Sequence, residues 1–167
     1  NGCKTMVGFN RRYIPLMKEV KKIVEERGPI FQCQAVFFKN QPGYYFNGMV
    51  DFFRGDGVHA LDTLRWMGGE IVGMESHVGQ FHNETPNMFN ALVEFESGGC
   101  GHLATNYMVG KRIHTFEMHA RGISAFVEPN TSAVIYKDNE PQGQVLEATK
   151  VAGSEEFYKY YGYDGGN

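Results

Sequence analysis

The sequence predicts an α+β domain in which a large, mostly antiparallel, open β-sheet carries helices on one face. Two segments with helical hydrophobic spacing, residues 14–27 and 57–67, lie in the first half of the chain. Beyond residue 70, short apolar strands follow one another, separated by tight glycine-containing turns. Strands joined so closely must run antiparallel, and helices must then cover one face of their sheet.

The first half of the chain mixes helices and strands. Residues 4–9 are predicted to form a short strand, followed by the helix 14–27, which has Pro15 in its first turn. Residues 30–39 are rich in Phe and Val and predict a second strand, and 40–48 form a loop. The first helix has an apolar stripe at three- and four-residue steps, made of Tyr13, Met17, Val20 and Val24.

The second half of the chain predicts a meander of strands. The turns that join consecutive strands are predicted at Ser97-Gly98-Gly99, Gly110-Lys111 and Arg121-Gly122. The predicted strands are 71–81, 88–97, 100–109, 112–120, 123–128, 132–137 and 144–150.

Composition excludes several function classes. The chain has 167 residues, enough for one domain, and a net charge of −3, which gives no basic footprint for nucleic acid. No apolar run approaches membrane-spanning length, and no signal peptide is visible. Three widely spaced cysteines without a CxxC pair predict mostly buried, reduced thiols and a cytoplasmic location.

A polar cluster stands where the loop before residue 57 turns into the second helix. It contains Arg54, Asp56 and His59. His59 is either a histidine hydrogen-bonded to the helix backbone, or a general acid/base or partner of a substrate hydroxyl. Asp56 would cap the helix or join the site. Asp62, one turn later, would orient the imidazole or pair with Arg65 or Arg54.

Two arginines, Arg11 and Arg12, open the first helix, where positive charge opposes the helix macrodipole. The pair is therefore either solvated or reserved for another purpose. That purpose would be an anionic ligand, a carboxylate or an interdomain contact.

No cofactor or metal site is predicted from motifs in this chain. Gly55-x-Gly57-x-x-Ala60 formally matches a dinucleotide-binding turn, but Asp56 would put a carboxylate against the pyrophosphate, and antiparallel strands follow. Among the histidines, His114 falls on the opposite face of its strand from Glu117 and His119. No metal ligands are therefore assigned.

Three segments, in matching order and spacing, resemble one family. They are Val7–Pro15, Gly57–Glu70 with its G-x-H-x-x-D helix, and Asn90–Gly99. The chain resembles the glucose–fructose oxidoreductase / inositol dehydrogenase / rhizopine-catabolism (Gfo/Idh/MocA) oxidoreductases. The resemblance implies their C-terminal domain, whose sheet is of the dihydrodipicolinate-reductase-like type.

The resemblance also implies a domain organisation. Residues 1–10 would be a stub of a preceding Rossmann domain, and 11–167 a substrate-binding and oligomerisation domain with a truncated C-terminus. NAD or NADP would bind mainly to the missing domain. The isolated fragment is therefore expected to bind no dinucleotide and to be inactive. The full-length protein would be an NAD(P)-dependent sugar or polyol dehydrogenase that forms a homo-oligomer through its sheet.

Site residues follow from the same resemblance. His59 matches the family's catalytic histidine, which works with a lysine of the missing domain, and Asp56 is the candidate for the accompanying aspartate. The residues assigned to substrate binding are Arg12, Tyr13, Arg54 and Asp62.

The chain departs from the family at one position. The family places its aspartate four residues before the histidine, and Gly55 stands there in this chain. Asp56 is shifted by one residue, which turns a side chain by about 100° at helical spacing. The alternative function is therefore a catalytically dead ligand-sensing or structural module of the same fold.

Overall fold

The computed structural model describes residues 2–161. Within this range the chain forms one sheet and three α-helices. The helices are Pro15–Glu25 (α1), Val58–Gly68 (α2) and Ser154–Tyr161 (α3). The strands are Gln32–Asn40 (β1), Ile71–Gly79 (β2), Met88–Phe95 (β3), Cys100–Asn106 (β4), Met108–Ala120 (β5), Ile123–Glu128 (β6), Ser132–Lys137 (β7) and Gln144–Glu147 (β8).

The strands form an eight-stranded sheet in the order β2-β3-β4-β1-β5-β6-β7-β8. Strand β1 runs parallel to β4, and the other neighbouring pairs are antiparallel. The predicted α+β class with a mostly antiparallel sheet is confirmed. The predicted meander holds on each side but is wrong at the centre, because β1 comes from the first half of the chain and lies between β4 and β5.

The predicted hairpin turn at Gly110-Lys111 is also wrong. Strand β5 passes through this position without a break, and the chain changes direction at Tyr107. Tyr107 is fully buried; its N–H donates to the Asn87 carbonyl, and its own carbonyl accepts from the Gln41 N–H. The chain must cross the end of β1 here, so the reversal depends on a strand that is distant in sequence.

The two chain ends differ from prediction as well. Residues 4–9 form no strand: they pair with no strand, and the Met6 side chain is 92% exposed. At the other end β8 stops at Glu147, and the unpredicted helix α3 begins at Ser154. No helix in the described range is long and apolar enough to cross a membrane.

The core lies between the helices and one face of the sheet. Helix α1 buries an apolar stripe whose members are Leu16, Met17, Val20 and Val24. Tyr13, predicted to continue this stripe, is instead exposed in a 3₁₀ turn, Arg11–Tyr13. On β1, every second residue is buried at Cys33, Ala35 and Phe37, because alternate strand side chains share a face.

The other face of the sheet has no helix in the described range and carries exposed apolar side chains. Leu92, Phe126, Tyr136 and Val145 are all more than 40% exposed there. Large aromatic and branched side chains on the uncovered face of an open sheet are typical of a surface that becomes covered on assembly.

The cysteines fit their predicted character in part. Cys33 is buried in the core, and burial raises the pKa of its thiol to about 12. Cys100 is half-buried and Cys3 is exposed.

Candidate functional site

The polar cluster forms where an irregular turn enters α2. Residues Phe53–Gly57 make a π-helical turn that runs directly into Val58. Such wide turns are rare and occur frequently at functional sites. Gly57 is buried, and a Cβ at this position would lie 2.8 Å from the Phe53 ring, so glycine permits the tight packing. The turn aims Asp56 into the protein.

Asp56 is buried, and both of its carboxylate oxygens accept hydrogen bonds. Lys39 Nζ donates to its Oδ1 at 2.6 Å, and the Tyr107 hydroxyl donates to its Oδ2 at 3.1 Å. The prediction that Asp56 caps α2 is wrong, because no side chain caps this helix. Burial lowers the pKa of Lys39 and raises that of Tyr107, and the nearby Asp56 charge holds the lysine in its protonated form against that effect.

Sequence reasoning missed Lys39 and Tyr107. Lys39 could have been identified from the sequence. It follows the alternate core-facing positions Cys33, Ala35 and Phe37, and it places a cation where an apolar residue is expected. Tyr107 could not, because its place depends on the insertion of β1 beside β4.

His59 is half-buried at the second position of α2. The ring of Phe9 meets it edge-on, with centroids 5.9 Å apart. Its Nδ1 is buried and has no hydrogen-bond partner among the described residues. The satisfied helix-start histidine, one of the two interpretations of the sequence, is therefore not what the described range contains. Burial, and next the positive charge of Arg11, lower the pKa of His59, so the ring is neutral at pH 7.

A second histidine lies nearby on the helix-covered face of the sheet. The His114 ring stacks on Phe37 with centroids 3.9 Å apart, and the Arg11 guanidinium lies 5.8 Å from the same Phe37 ring. Burial, followed by the charges of Arg11 and Arg112, lowers the pKa of His114 to about 2. Its Nε2 is buried without a hydrogen-bond partner in the part of the chain that the structure describes.

Arg12, in the 3₁₀ turn before α1, forms an ion pair with Asp62 of α2. The guanidinium donates through both Nε, at 3.0 Å, and Nη2 to the two carboxylate oxygens. This pairing corrects the prediction that Asp62 orients the imidazole or binds Arg65 or Arg54; Arg65 instead pairs with Glu70. Of the purposes predicted for the arginine pair, a carboxylate partner is the one found for Arg12.

Two of the predicted site residues lie apart from the cluster. The Arg54 side chain is 81% exposed, and its one ionic neighbour among residues 2–161 is Asp51, at 3.5 Å. Tyr13 is exposed and lines a groove between α1 and α3. The structure thus brings together Asp56, His59 and the Arg12–Asp62 pair around α2.

Local packing accounts for the glycine at position 55, where the family resemblance leads us to expect an aspartate. A Cβ at this position would collide with the ring of Tyr45. Tyr45 lies in a 3₁₀ turn of the preceding loop and packs edge-on against Phe52. An aspartate at residue 55 would require Tyr45 to move, so the loop and the glycine belong together.

The glycines of the dinucleotide-like motif and the histidines of β5 lie in different parts of the fold. Gly55 and Gly57 sit in the π-helical turn Phe53–Gly57, and the residues directly before this turn form a loop rather than a strand. His114 faces the helices, while His119 accompanies Glu117 and Ser124 on the open face. No group of three His, Cys, Asp or Glu side chains in residues 2–161 is arranged to hold a metal ion.

The arrangement suits proton transfer. A neutral imidazole accepts a proton, and His59 lies at the edge of a cluster that contains Lys39, Arg11 and Asp56. The buried Lys39–Asp56–Tyr107 network holds the turn that precedes His59 in place. A hydroxyl group of a ligand next to His59 would find a base that is neutral and supported by fixed charges.

Comparisons with known proteins address the fold. The sequence matches no protein-family model, and no curated protein matches it. Solved structures do match. A levoglucosan dehydrogenase in complex with NADH and levoglucosan superposes with a TM-score of 0.74 at 17% identity, over 85% of this chain and 46% of that one.

Two further structures agree. An NAD-binding oxidoreductase from Klebsiella pneumoniae gives a TM-score of 0.76 at 19% identity, over 95% of this chain and 51% of that one. A UDP-N-acetylglucosamine 3-dehydrogenase from Acidithiobacillus ferrooxidans gives 0.71 at 16% identity, over 94% and 52%. The chain spans about half the length of these structures, and it has the fold of that half of each oxidoreductase.

Proposed function

We propose that this chain is the substrate-binding domain of an NAD(P)-dependent sugar or polyol dehydrogenase. The observation that carries the proposal is His59, a neutral, half-buried histidine with an unpaired ring nitrogen, placed at the start of α2 in a fold shared with dehydrogenases. A preceding Rossmann domain, of which residues 1–10 would be the end, would bind the NAD or NADP.

In the proposed reaction, His59 takes the proton of a substrate hydroxyl while the carbon that bears it gives up a hydride. Nicotinamide, when bound, supplies the acceptor for that hydride. The oxidised carbon becomes a carbonyl, so the two electrons and the proton are accounted for. A lysine from the preceding domain would orient the hydroxyl.

Asp56 has a supporting place in this proposal. Its carboxylate is bound to Lys39 and Tyr107, so we assign it the role of holding the turn before His59 and of raising the pKa of that imidazole. Arg12 and Asp62 would shape the substrate side of α2 as a fixed ion pair. Tyr13 and Arg54, both exposed, would contact substrate only from the edge of the site.

Support for a sugar substrate comes from similar folds. One similar structure is a levoglucosan dehydrogenase with levoglucosan bound, and another is a UDP-N-acetylglucosamine 3-dehydrogenase. We therefore propose a small polyhydroxylated substrate for this chain. The composition-based expectations of a cytoplasmic location and of no nucleic-acid partner accompany the proposal.

The variant His59→Ala in the full-length protein tests this function. Loss of the general base should lower kcat by about 10²–10⁴-fold with little change in KM. His82→Ala, on the exposed loop between β2 and β3, is the matched control and should leave kcat unchanged.

The same variants distinguish the proposed function from its alternative. If the domain is a catalytically dead ligand-sensing or structural module, His59→Ala leaves any measured turnover unchanged. Gly55, which replaces the family's aspartate, is the observation that motivates this alternative.

We also propose that the open face of the sheet packs against a second copy of the chain. Its exposed Leu92, Phe126, Tyr136 and Val145 supply the apolar surface that such packing needs. Sedimentation velocity at micromolar concentration should show a dimer or larger species, and a strict monomer would contradict the proposal.

A further inference from the structure

The two edge strands of the sheet differ in length. Strand β8, at one edge, has four residues, and the chain then continues into α3. Strand β2, at the other edge, has nine residues, and β3 is its one neighbouring strand among residues 2–161. An edge strand turns a row of its backbone N–H and C=O groups away from the sheet. Strand β2 therefore presents a long row of such groups to a strand of another chain.

Strand β2 lacks the residues by which proteins usually block an exposed edge. Ile71–Gly79 contains no lysine, arginine or proline, and its one pairing irregularity lies at its start, between Ile71 and Gly73. Its apolar side chains are exposed, with Met74 at 59% and Val78 at 53%. A long apolar edge without such blocking residues favours pairing with a further strand.

A cleft of about 430 Å³ lies beside this edge on the helix-covered face of the sheet. Its walls include Leu61 of α2 and Phe53 of the π-helical turn, and Met74 and Val78 line it from β2. Met74 is paired with Val93, which belongs to the core, so both β2 side chains lie on the helix-covered face. The apolar lining thus extends to the edge, and a strand added beside β2 would continue it.

The open face of the same strand carries two polar side chains, Glu75 and His77. Both are exposed, and neither forms a hydrogen bond or ion pair with another described residue. On β3, Leu92 lies opposite Glu75 and Asn90 lies opposite His77, so neither has an oppositely charged cross-strand neighbour. A carboxylate and an imidazole two residues apart are therefore available to a partner at the edge.

We propose that β2 pairs antiparallel with β2 of a second copy of this chain, about a two-fold axis between the two Ser76 residues. Met74 then lies opposite Val78 of the second copy, and Glu75 lies opposite His77. Symmetry makes each of these contacts occur twice. The two sheets join edge to edge, with the helices of both copies on the same side, and the second copy completes the apolar lining of the cleft.

Charge and hydrophobicity select this register over its neighbours. An axis at residue 75 would place the two Glu75 carboxylates directly opposite each other, and like charges in that position are destabilising. An axis at residue 77 would place Met74 opposite Gln80 and Glu75 opposite Gly79. The axis at Ser76 matches an acid with a base on one face and apolar with apolar on the other. This contact uses the strand edge, so it is distinct from packing of the open face and does not depend on dehydrogenase activity.

Cysteine cross-linking of the 167-residue chain tests the register. In a Cys3→Ser background, which removes the exposed thiol, Ser76→Cys should form a disulfide-linked dimer when oxidised by copper phenanthroline in air. Directly opposite Cβ atoms lie about 5 Å apart, close to the distance in a disulfide. Val78→Cys, on the same face, is the matched control: its two copies would be roughly 13 Å apart along the strands, so it should not cross-link. Non-reducing electrophoresis measures the dimer.

Exchange of charges tests the polar contact. A Phe126→Asp background weakens any packing of the open face, and sedimentation equilibrium then gives the dissociation constant of the edge dimer. Glu75→Lys and His77→Glu should each weaken the dimer by about tenfold, because each change acts twice. The double variant Glu75→Lys/His77→Glu again places opposite charges together and should restore the affinity. Glu84→Lys, in the exposed loop after β2, is the matched control and should leave the affinity unchanged.

Three results would overturn the inference: no cross-link in Ser76→Cys, equal cross-linking in Ser76→Cys and Val78→Cys, or a double charge variant as weak as the single ones. A Phe126→Asp chain that stays monomeric at high micromolar concentration would also contradict it. Circular dichroism confirms that each variant is folded. Ser76→Cys, a small change at an exposed position, keeps the test independent of the charge variants.

Discussion

Asp56 and His59 are three residues apart, yet their surroundings are opposite. Asp56 is buried, and each of its carboxylate oxygens accepts a hydrogen bond, from Lys39 or Tyr107. His59 has a buried ring nitrogen without a partner in the described range, and so does His114. Buried polar groups in folded proteins are normally paired, so an unpaired one needs an explanation. The comparison separates a network that supports the fold from two imidazoles whose buried nitrogens have no partner among the described residues.

The largest loss of stability should come from breaking the hydrogen-bonded network around Asp56. Lys39→Met leaves the Asp56 carboxylate buried without its cation and should lower the free energy of unfolding by about 3–5 kcal/mol. Urea denaturation followed by circular dichroism measures this loss. The double variant Lys39→Met/Asp56→Leu removes both charges and should recover a large part of the loss.

An exposed ion pair provides the control for that experiment. Arg54→Ala breaks the pair with Asp51, whose arginine side chain is 81% exposed, and should change stability by no more than about 0.5 kcal/mol. A loss below about 1 kcal/mol in Lys39→Met would show that the Asp56 network is not the support described above.

The contribution of His114 to the free energy of unfolding should be smaller and should depend on pH. Burial lowers the pKa of His114 to about 2, whereas the unfolded chain takes up a proton near pH 6.5. Below that pH the unfolded state binds more protons, so the stabilisation is complete above pH 6.5 and falls as the pH decreases. Between pH 7.5 and 5.5 the loss from this one imidazole should be about 1.4 kcal/mol.

The variant His114→Gln isolates this contribution, because the amide does not titrate. Its free energy of unfolding should fall less than that of the unmodified chain over the same pH interval, with the other histidines common to both. Identical pH dependence in the two proteins would mean that the pKa of His114 is the same in the folded and the unfolded state, which would contradict the lowering by burial.

The same contrast explains how far the sequence could be read. Periodicity located α1, α2 and most strands, because those signals are local. It failed where distant segments decide the structure: β1 enters between β4 and β5, and residues 4–9 remain unpaired. Short helices such as α3 give too few turns for a clear hydrophobic stripe.

The residues of the candidate site show the same difference between local and distant sequence signals. His59 and Asp56 were predicted as site residues from the sequence around them, and their roles remain a prediction. The partners of Asp56 are 17 and 51 residues away, and their proximity depends on the sheet order. Asp62 was assigned the wrong partner because Arg12, 50 residues earlier, is brought to it only by tertiary packing.

Tyr107 connects the sheet to this network in a way that concerns folding. It is the single residue between β4 and β5, at the point where the chain crosses the end of β1. Its hydroxyl can reach Asp56 only after β1 has been inserted between its two neighbours, a step that closes long loops and is therefore slow. The Asp56 network should thus be among the last contacts to form, and a partly folded chain would lack the support of its own candidate site.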